Sequence, residues 1–525
     1  MNKNRRSWNI LLLALLLLLA ACSGNAGTAG NGSNGSEAGE TGSGTADAEP
    51  VTLKWIMGGP GKQRDSDKVW ALFNERLQEY LPNTKVEFEV IPFGEFKERW
   101  QLISASQEQA DLVWTGFVLS LADEVRKGAY LPLDELVEAE APGILDVIPD
   151  WVLDMTRVDG ELYAIPNYQQ MTETRIGMRT PTALADAYLD RDKAEQVFLA
   201  REGRPLDQAS YDVLTEYFSK IKEAGKIQKG ISDAIWPNIN AGVKIASPFV
   251  VPVDDKTYTV QLLDELPEKI LEQQMQRQWQ EMGFIREDIL SNTNRRQDEG
   301  KEDGYIAWFH ENFKGQSEKE TANAGFPIDV IPLEEKFYIS RLDSATNTAI
   351  ARQSEHPERA MQFLELMHTE KGKDLYRLLV HGIEGEHYTV VNDNRIELTD
   401  FGQKPDSAQH PYSMPKWAVG NTFMAYETQL DPEGWNDYIL DVHDQAVVHP
   451  LVGFKPDLQE VRTEIAQISA ISTEYKLYEF SPRPLEEMRT EKLERIKQAG
   501  GDKVKRVLQE QIDAYLQEKG VEKQE

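Results

Sequence analysis

The chain of 525 residues carries 88 Asp and Glu against 57 Lys and Arg, a formal net charge of −31. Such a surface repels phosphate backbones, which argues against nucleic-acid binding. Hydrophobic residues make up 40% of it, with 11 tryptophans, so a wholly disordered chain is ruled out, and a single cysteine, Cys22, excludes an internal disulfide.

The N-terminus has the parts of an export signal. Lys3, Arg5 and Arg6 are followed by the uncharged apolar run Ile10 to Ala21 and then by small residues. A membrane-spanning helix needs about 20 apolar residues, so this run is too short to span and suits a cleaved signal. Leu19-Ala20-Ala21-Cys22 resembles the lipobox of bacterial lipoproteins. That resemblance implies cleavage before Cys22, a diacylglyceryl group on its sulfur, and a stable anchor of two acyl chains. Residues 23–50, rich in Gly, Ser, Ala and Thr with no large apolar side chain, read as a flexible tether.

Order begins at VTLKWIMGG, where Val51, Leu53 and Trp55 alternate with Thr52 and Lys54 as a strand does. The following glycine loop, Gly58 to Lys62, fails the phosphate-loop pattern, since Gln63 stands where Ser or Thr is needed. SDKVWALFNERLQEYLP places Val69, Leu72, Phe73, Leu77 and Tyr80 on one helical face, with Pro82 as the stop. KVEFEVIPF is an alternating strand, FGEFKERWQLISA spaces Phe96, Trp100 and Ile103 as a helix, and ADLVWTG is a short apolar strand. Strand, helix, strand, helix, strand predicts a parallel α/β sheet, whose ligands bind beyond the carboxyl ends of its strands. Those ends are Gly58–Lys62 and Trp114–Phe117.

Several stretches carry a family resemblance. They are ADLVWTG with Gly128-Ala129-Tyr130-Leu131-Pro132-Leu133-Asp134, then Asp159-Gly160-Glu161-Leu162-Tyr163-Ala164-Ile165-Pro166, then Gly304-Tyr305-Ile306-Ala307-Trp308, and IARQSEHPERAMQFLELM. Together with the lipobox they resemble the extracellular solute-binding proteins of carbohydrate ABC importers, the family of maltose-binding protein, over roughly Val51 to Leu379. The later residues look like a longer lipoprotein subgroup with an extra C-terminal module. The resemblance implies an α/β, two-lobed periplasmic-binding-protein fold, type II-like, with lobes joined by crossing strands at a hinge. Crossings are expected near Ala164–Asn167, around Ile328–Leu333 and after about Leu379. The expected segments are 1–21 signal peptide, 22–50 lipidated linker, 51–165 first lobe, 166–328 second lobe, 329–380 first lobe again, and 381–525 second lobe with the C-terminal module.

Sugars present apolar faces that stack on aromatic rings and hydroxyls that bond polar side chains. By that chemistry and the family's pattern, Trp114, Trp308, Tyr168, Asn167, Trp417, Asn421, Lys62 and Asp67 are ligand candidates, and Cys22 is the lipid attachment site. Trp114 reads equally as core, Trp417 and Trp236 equally as plugs between lobes, and Lys62 with Asp67 reads more readily as a solvated loop. PLEEMRTEKLERIKQAGG and DKVKRVLQEQIDAYLQEK read as two amphipathic helices parted by Gly500-Gly501 that pack on the second lobe.

No G-x-S-x-G elbow, no H-E-x-x-H and no zinc-like histidine spacing occurs, and Asp431 to Asp437 fails the calcium-loop template. The expected function is therefore capture of a sugar or oligosaccharide and its delivery to an ABC import permease. No catalysis, cofactor or metal is expected, and the protein should act as a monomer on the outer face of the cytoplasmic membrane. A surface glycan binder or sensor without transport is the alternative, and a polysaccharide-acting enzyme a more distant one.

Overall fold

The computed structural model describes residues 49–172, 176–201, 205–232, 241–291, 304–334, 336–399 and 411–524. Cys22 and Trp236 lie outside the described residues. Among the described residues no helix is long and apolar enough to cross a membrane.

In the first lobe the chain runs β1 (Val51–Gly59), α1 (Ser66–Tyr80), β2 (Thr84–Pro92), α2 (Phe93–Ser106), β3 (Leu112–Gly116), α3 (Leu121–Arg126) and β4 (Ala164–Pro166). The second lobe follows with β5 (Ile176–Pro181) and β6 (Gly230–Ile231). Next come the short strands β7 (Gly242–Ala246), β8 (Phe249–Pro252) and β9 (Gln261–Leu262), and helix α4 (Pro267–Glu281). β10 (Tyr305–Glu311), α5 (Gln316–Ala324) and β11 (Ile328–Pro332) complete the second lobe, and β12 (Thr346–Ile350), α6 (Pro357–His368) and α7 (Lys373–His381) return to the first. The C-terminal part contains α8 (Trp435–Gln445), α9 (Arg462–Glu474), α10 (Leu485–Gln498) and α11 (Gly501–Glu518).

The first-lobe sheet has the order β2-β1-β3-β12-β4, with β1 parallel to β2 and β3, and β12 antiparallel to both its neighbours. Alternation along β1 explains its burial on both faces. Leu53, Trp55 and Met57 point into one core with Phe73, Phe88 and Phe363, while Ile56 points into the other with Phe96, Trp100 and Trp114. The second-lobe sheet runs β11-β5-β10-β6. Its core gathers Met178, Phe198, Tyr217, Phe218, Trp279 and Phe309.

A third core is built from distant parts of the chain. The antiparallel sheet β9-β8-β7 supplies Val243, Phe249 and Val251, and α9 to α11 supply Ile468, Ile496, Val504, Leu508 and Ile512. The two expected C-terminal helices are α10 and α11, and the stripe Val504, Val507, Leu508 is buried as the periodicity requires. A buried ion pair fastens this module to the second lobe. Lys492 Nζ donates to Asp264 at 2.6 Å, and the Tyr478 hydroxyl (2.9 Å) and the Gln273 amide (3.1 Å) donate to the other carboxylate oxygen. Burial alone would raise the Asp264 pKa, but the Lys492 charge and these bonds outweigh it and hold the carboxyl below its ordinary range. At its other end α11 reaches the first lobe. Lys519 pairs with Asp154 at 2.5 Å, and the Tyr515 hydroxyl donates to the Val452 carbonyl at 2.6 Å.

Two boundaries differ from expectation. Residues 328–332 form β11, paired along its whole length with β5, so the return to the first lobe comes later, at Thr346. The described residues from Tyr412 to Ala425 also stay with the first lobe, past the crossing expected after Leu379. Tyr412, Met414, Val419, Met424 and Ala425 belong to the first-lobe core, with the Tyr412 hydroxyl on the Leu379 carbonyl at 2.7 Å. The physical reason is α7, which buries Leu375, Tyr376, Leu378, Leu379 and Val380 and needs a cover on that side. Only past α8 does the chain move on, where Val447–Val448 pairs in parallel with Tyr338–Ile339 of the earlier crossing.

Buried histidines make this fold sensitive to acid. His443 Nε2 accepts the Met171 amide at 3.0 Å, His381 Nε2 the Tyr426 amide at 3.1 Å, and His449 Nδ1 the Leu451 amide at 3.1 Å. An accepting ring nitrogen carries no proton, and burial pushes His443 and His449 down to about 4 and His381 to about 3. In the unfolded chain the same rings protonate near 6.5. Their folded pKa values are depressed, so the stability they contribute is complete above pH ~6.5 and is lost as the pH falls toward ~4, by up to about 1.4 kcal/mol per pH unit for each ring. Urea melts are expected to show falling stability from neutral pH to about pH 5, and a flat profile would contradict the neutral, accepting rings.

Candidate functional site

An aromatic wall stands at the carboxyl ends of the first-lobe strands. Phe93 follows β2, Phe117 follows β3, and Trp417 comes from a single turn at Lys416–Ala418. Phe93 and Trp417 stack with centroids 5.2 Å apart, and Phe117 lies 5.5 Å from Phe93 and 5.8 Å from Trp417. Trp114 sits beneath them, 5.3 Å from Phe93 and 5.5 Å from Phe117. Phe117 is 62% exposed and Trp417 and Phe93 are half-buried, whereas Trp114 is fully buried. Gly58 at the end of β1 leaves room for this packing. A Cβ there would come within 2.6 Å of the Phe93 ring and 2.9 Å of Trp114.

Hydrogen bonds fix the wall to the hinge. The Thr346 hydroxyl donates to the Trp417 carbonyl at 2.7 Å and accepts from Asn167 Nδ2 at 3.2 Å and Gln169 Nε2 at 3.0 Å. Gln169 also donates to the Trp417 carbonyl at 3.2 Å. The Phe117 amide donates to the Ala345 carbonyl at 3.1 Å. Both the first crossing (Asn167, Gln169) and the second (Ala345, Thr346) therefore hold the wall.

The candidates drawn from sequence separate into groups. Trp417 stands on the wall and Trp114 supports it from below. Trp308 is 2% exposed and packs with Tyr305, Ile328 and Phe326 under α5, away from the wall. Asn167 is fully buried, its side chain engaged by Thr346 and Thr348. Tyr168 is buried edge-on against Phe423, its hydroxyl 3.4 Å from His443 Nδ1, and burial with the nearby Asp444 charge pushes its phenol up to about 12. Asn421 caps a short turn, accepting the Phe423 amide at 3.0 Å and donating to the His368 carbonyl at 3.2 Å. Lys62 and Asp67 pair with each other at 2.8 Å, both largely exposed. Phe93 and Phe117 were not singled out. The signal for them is an aromatic residue placed directly after a parallel strand, Phe93 after β2 and Phe117 after β3, where ligands of such sheets bind. Among the described residues no cluster of His, Cys, Asp and Glu could hold a metal ion.

The model of the bacterial extracellular solute-binding proteins matches residues 62–374. The chain belongs to that family. A second model, of a domain of unknown function, matches residues 450–517, which hold α9 and α10 and nearly all of α11. No curated protein matches the chain. Among solved structures, the N-glycan transport solute binding protein NgtS of Streptococcus pneumoniae is similar at 20% identity and a TM-score of 0.69, over 89% of this chain and 99% of that one. Its complex with Man1GlcNAc aligns at 19% identity and 0.60, again over 89% and 99%. An extracellular solute-binding protein of Bifidobacterium longum subsp. infantis aligns at 13% identity and 0.60, over 90% and 99%. These likenesses agree on the two-lobed α/β solute-binding fold.

Thr346→Val keeps the shape of the side chain but removes one donor and two acceptor sites at the hinge. It is expected to cost about 1–3 kcal/mol in urea melts, with Thr346→Ser close to the parent. Equal stability of the valine variant would show that the hydroxyl does not hold the wall.

Proposed function

We propose that the chain is a lipid-anchored receptor that captures an oligosaccharide between its lobes and hands it to an ABC import permease. The observation that carries this reading is the partly exposed aromatic wall of Phe93, Phe117 and Trp417, at the strand ends where α/β sheets take ligands. Rings of this kind stack on the apolar faces of sugars. Family membership supports solute binding, and the glycan named with a similar structure, Man1GlcNAc for NgtS, supports a carbohydrate. The lipobox at Cys22 supports anchoring at the outer face of the membrane, and in this reading the protein works as a monomer with no bond made or broken in its ligand. Ligand that bridges both lobes favours the closed state by its differential affinity.

A glycan array followed by titration of intrinsic fluorescence tests the reading. Phe117→Ala and Trp417→Ala are each expected to weaken the bound glycan at least about tenfold. Phe117 is exposed enough that its loss should leave the melt unchanged. Binding of no glycan, or full affinity in both variants, would contradict the proposal.

A further inference from the structure

The segments that follow Phe117 and precede Thr346 also line a cavity of about 490 Å³. Its walls come from the α3 region of the first lobe, from β7, from the second crossing at 340–343, and from residues 455–458 ahead of α9. It is contiguous with the wall along the chain. Ser120, on its rim, follows Phe117 in the same turn, and Asp343 shortly precedes Ala345, whose carbonyl holds the Phe117 amide. Its volume lies in the ~300–1,000 Å³ range of ligand sites.

Four basic side chains line this cavity, Arg126, Lys244, Arg341 and Lys455, against two acidic ones, Asp123 and Asp343. That surplus is notable in a chain of net charge −31. The cations are also poorly neutralised. The side chains of Lys244 and Arg341 make no ion pair or hydrogen bond among the described residues, and there the Arg126 side chain pairs with Asp123 alone, at 3.9 Å. Lys455 donates to the Leu342 carbonyl, and burial pushes its ammonium down to about 8, opposed only by the Asp343 charge. A cation in that position is stabilised by a bound anion. An adjoining cavity of about 590 Å³ shares Arg126 and Lys455 but offers no such surplus. There Arg157 is held by Asp134 and Lys519 by Asp154.

We propose that this cavity is a subsite for an anionic group, so that the ligand is an acidic oligosaccharide whose apolar ring faces lie on Phe117 and Trp417 while its carboxylate or sulfate enters among Arg126, Lys244, Arg341 and Lys455. This rests on the sugar-binding reading above and adds the charge of the ligand to it. Guanidinium groups pair bidentately with such oxyanions, and these charge-assisted bonds are stronger than neutral ones.

The test applies the full mature chain to an array of matched neutral, carboxylated and sulfated glycans, then titrates the best acidic member and its neutral counterpart. The acidic member is expected to bind at least about tenfold tighter, with an advantage that shrinks as ionic strength rises. The carboxylated and sulfated arms tell which oxyanion the pocket takes. Arg341→Gln combined with Lys244→Gln should reduce the ratio of acidic to neutral affinity by about tenfold, with an unchanged thermal melt since both side chains are exposed. Equal affinity for acidic and neutral members would overturn the subsite and leave the sugar-binding reading standing. An acidic preference that survives the double variant would also overturn it, by placing the anion elsewhere. Binding to no glycan at all would overturn the sugar-binding reading itself.

Discussion

The hydroxyl of Thr346 is the point on which site and scaffold meet. It has one proton to give and two lone pairs to fill, and all three are used, on the Trp417 carbonyl and the Asn167 and Gln169 amides. Its backbone carbonyl accepts the Asn167 amide at 3.0 Å and the Ser344 hydroxyl at 3.0 Å. Thr346 is fully buried, so any of these groups left unpaired would incur its desolvation cost. One residue thereby joins the outgoing crossing, the returning crossing and the aromatic wall. A movement of the crossings is consequently felt at the wall, which is what coupling between ligand and lobe position requires.

The rest of the architecture follows from burying what the two sheets leave uncovered. The first-lobe sheet is apolar on both faces, and α7 adds a further apolar face that the segment from Tyr412 to Ala425 covers. That covering segment also delivers Trp417 to the strand ends. In the second lobe, β7 to β9 and helices α9 to α11 share one core, and the Asp264–Lys492 pair anchors it. A pair of this kind contributes little net stability, but breaking it leaves a buried charge, about 3–5 kcal/mol. The module is thus held tightly to the second lobe by its core and reaches the first lobe through α11, at Asp154 and Val452.

Much of this was legible in the sequence because it depends on local periodicity. The alternation in VTLKWIMGG, the helical spacing of Val69, Phe73 and Leu77, and the stripe Val504, Val507, Leu508 each report one face of one element. The site was less legible because periodicity gives a face and not what that face meets. Trp114 and Trp308 both stand on apolar strands, and nothing in the sequence tells that one lies under a wall of rings and the other under α5. Phe93 at the start of α2, Phe117 after β3 and Trp417 in the Lys416–Ala418 turn meet only in the fold, and that long-range meeting has no local signature. The segment after Leu379 was misplaced for a related reason. Its prolines and glycines suppress periodicity, while its few apolar residues are what cover α7.

Closure of the two lobes on ligand, about the hinge at Thr346, is the movement on which the proposed capture depends. It is tested most directly by pulsed spin-label distances between Leu102→Cys in α2 and Glu195→Cys in the helix Arg191–Leu199 of the second lobe, two exposed positions, with Cys22 replaced by Ser. A shorter and narrower distance distribution is expected when the glycan selected on the array saturates the protein. An identical distribution with and without saturating glycan would contradict it.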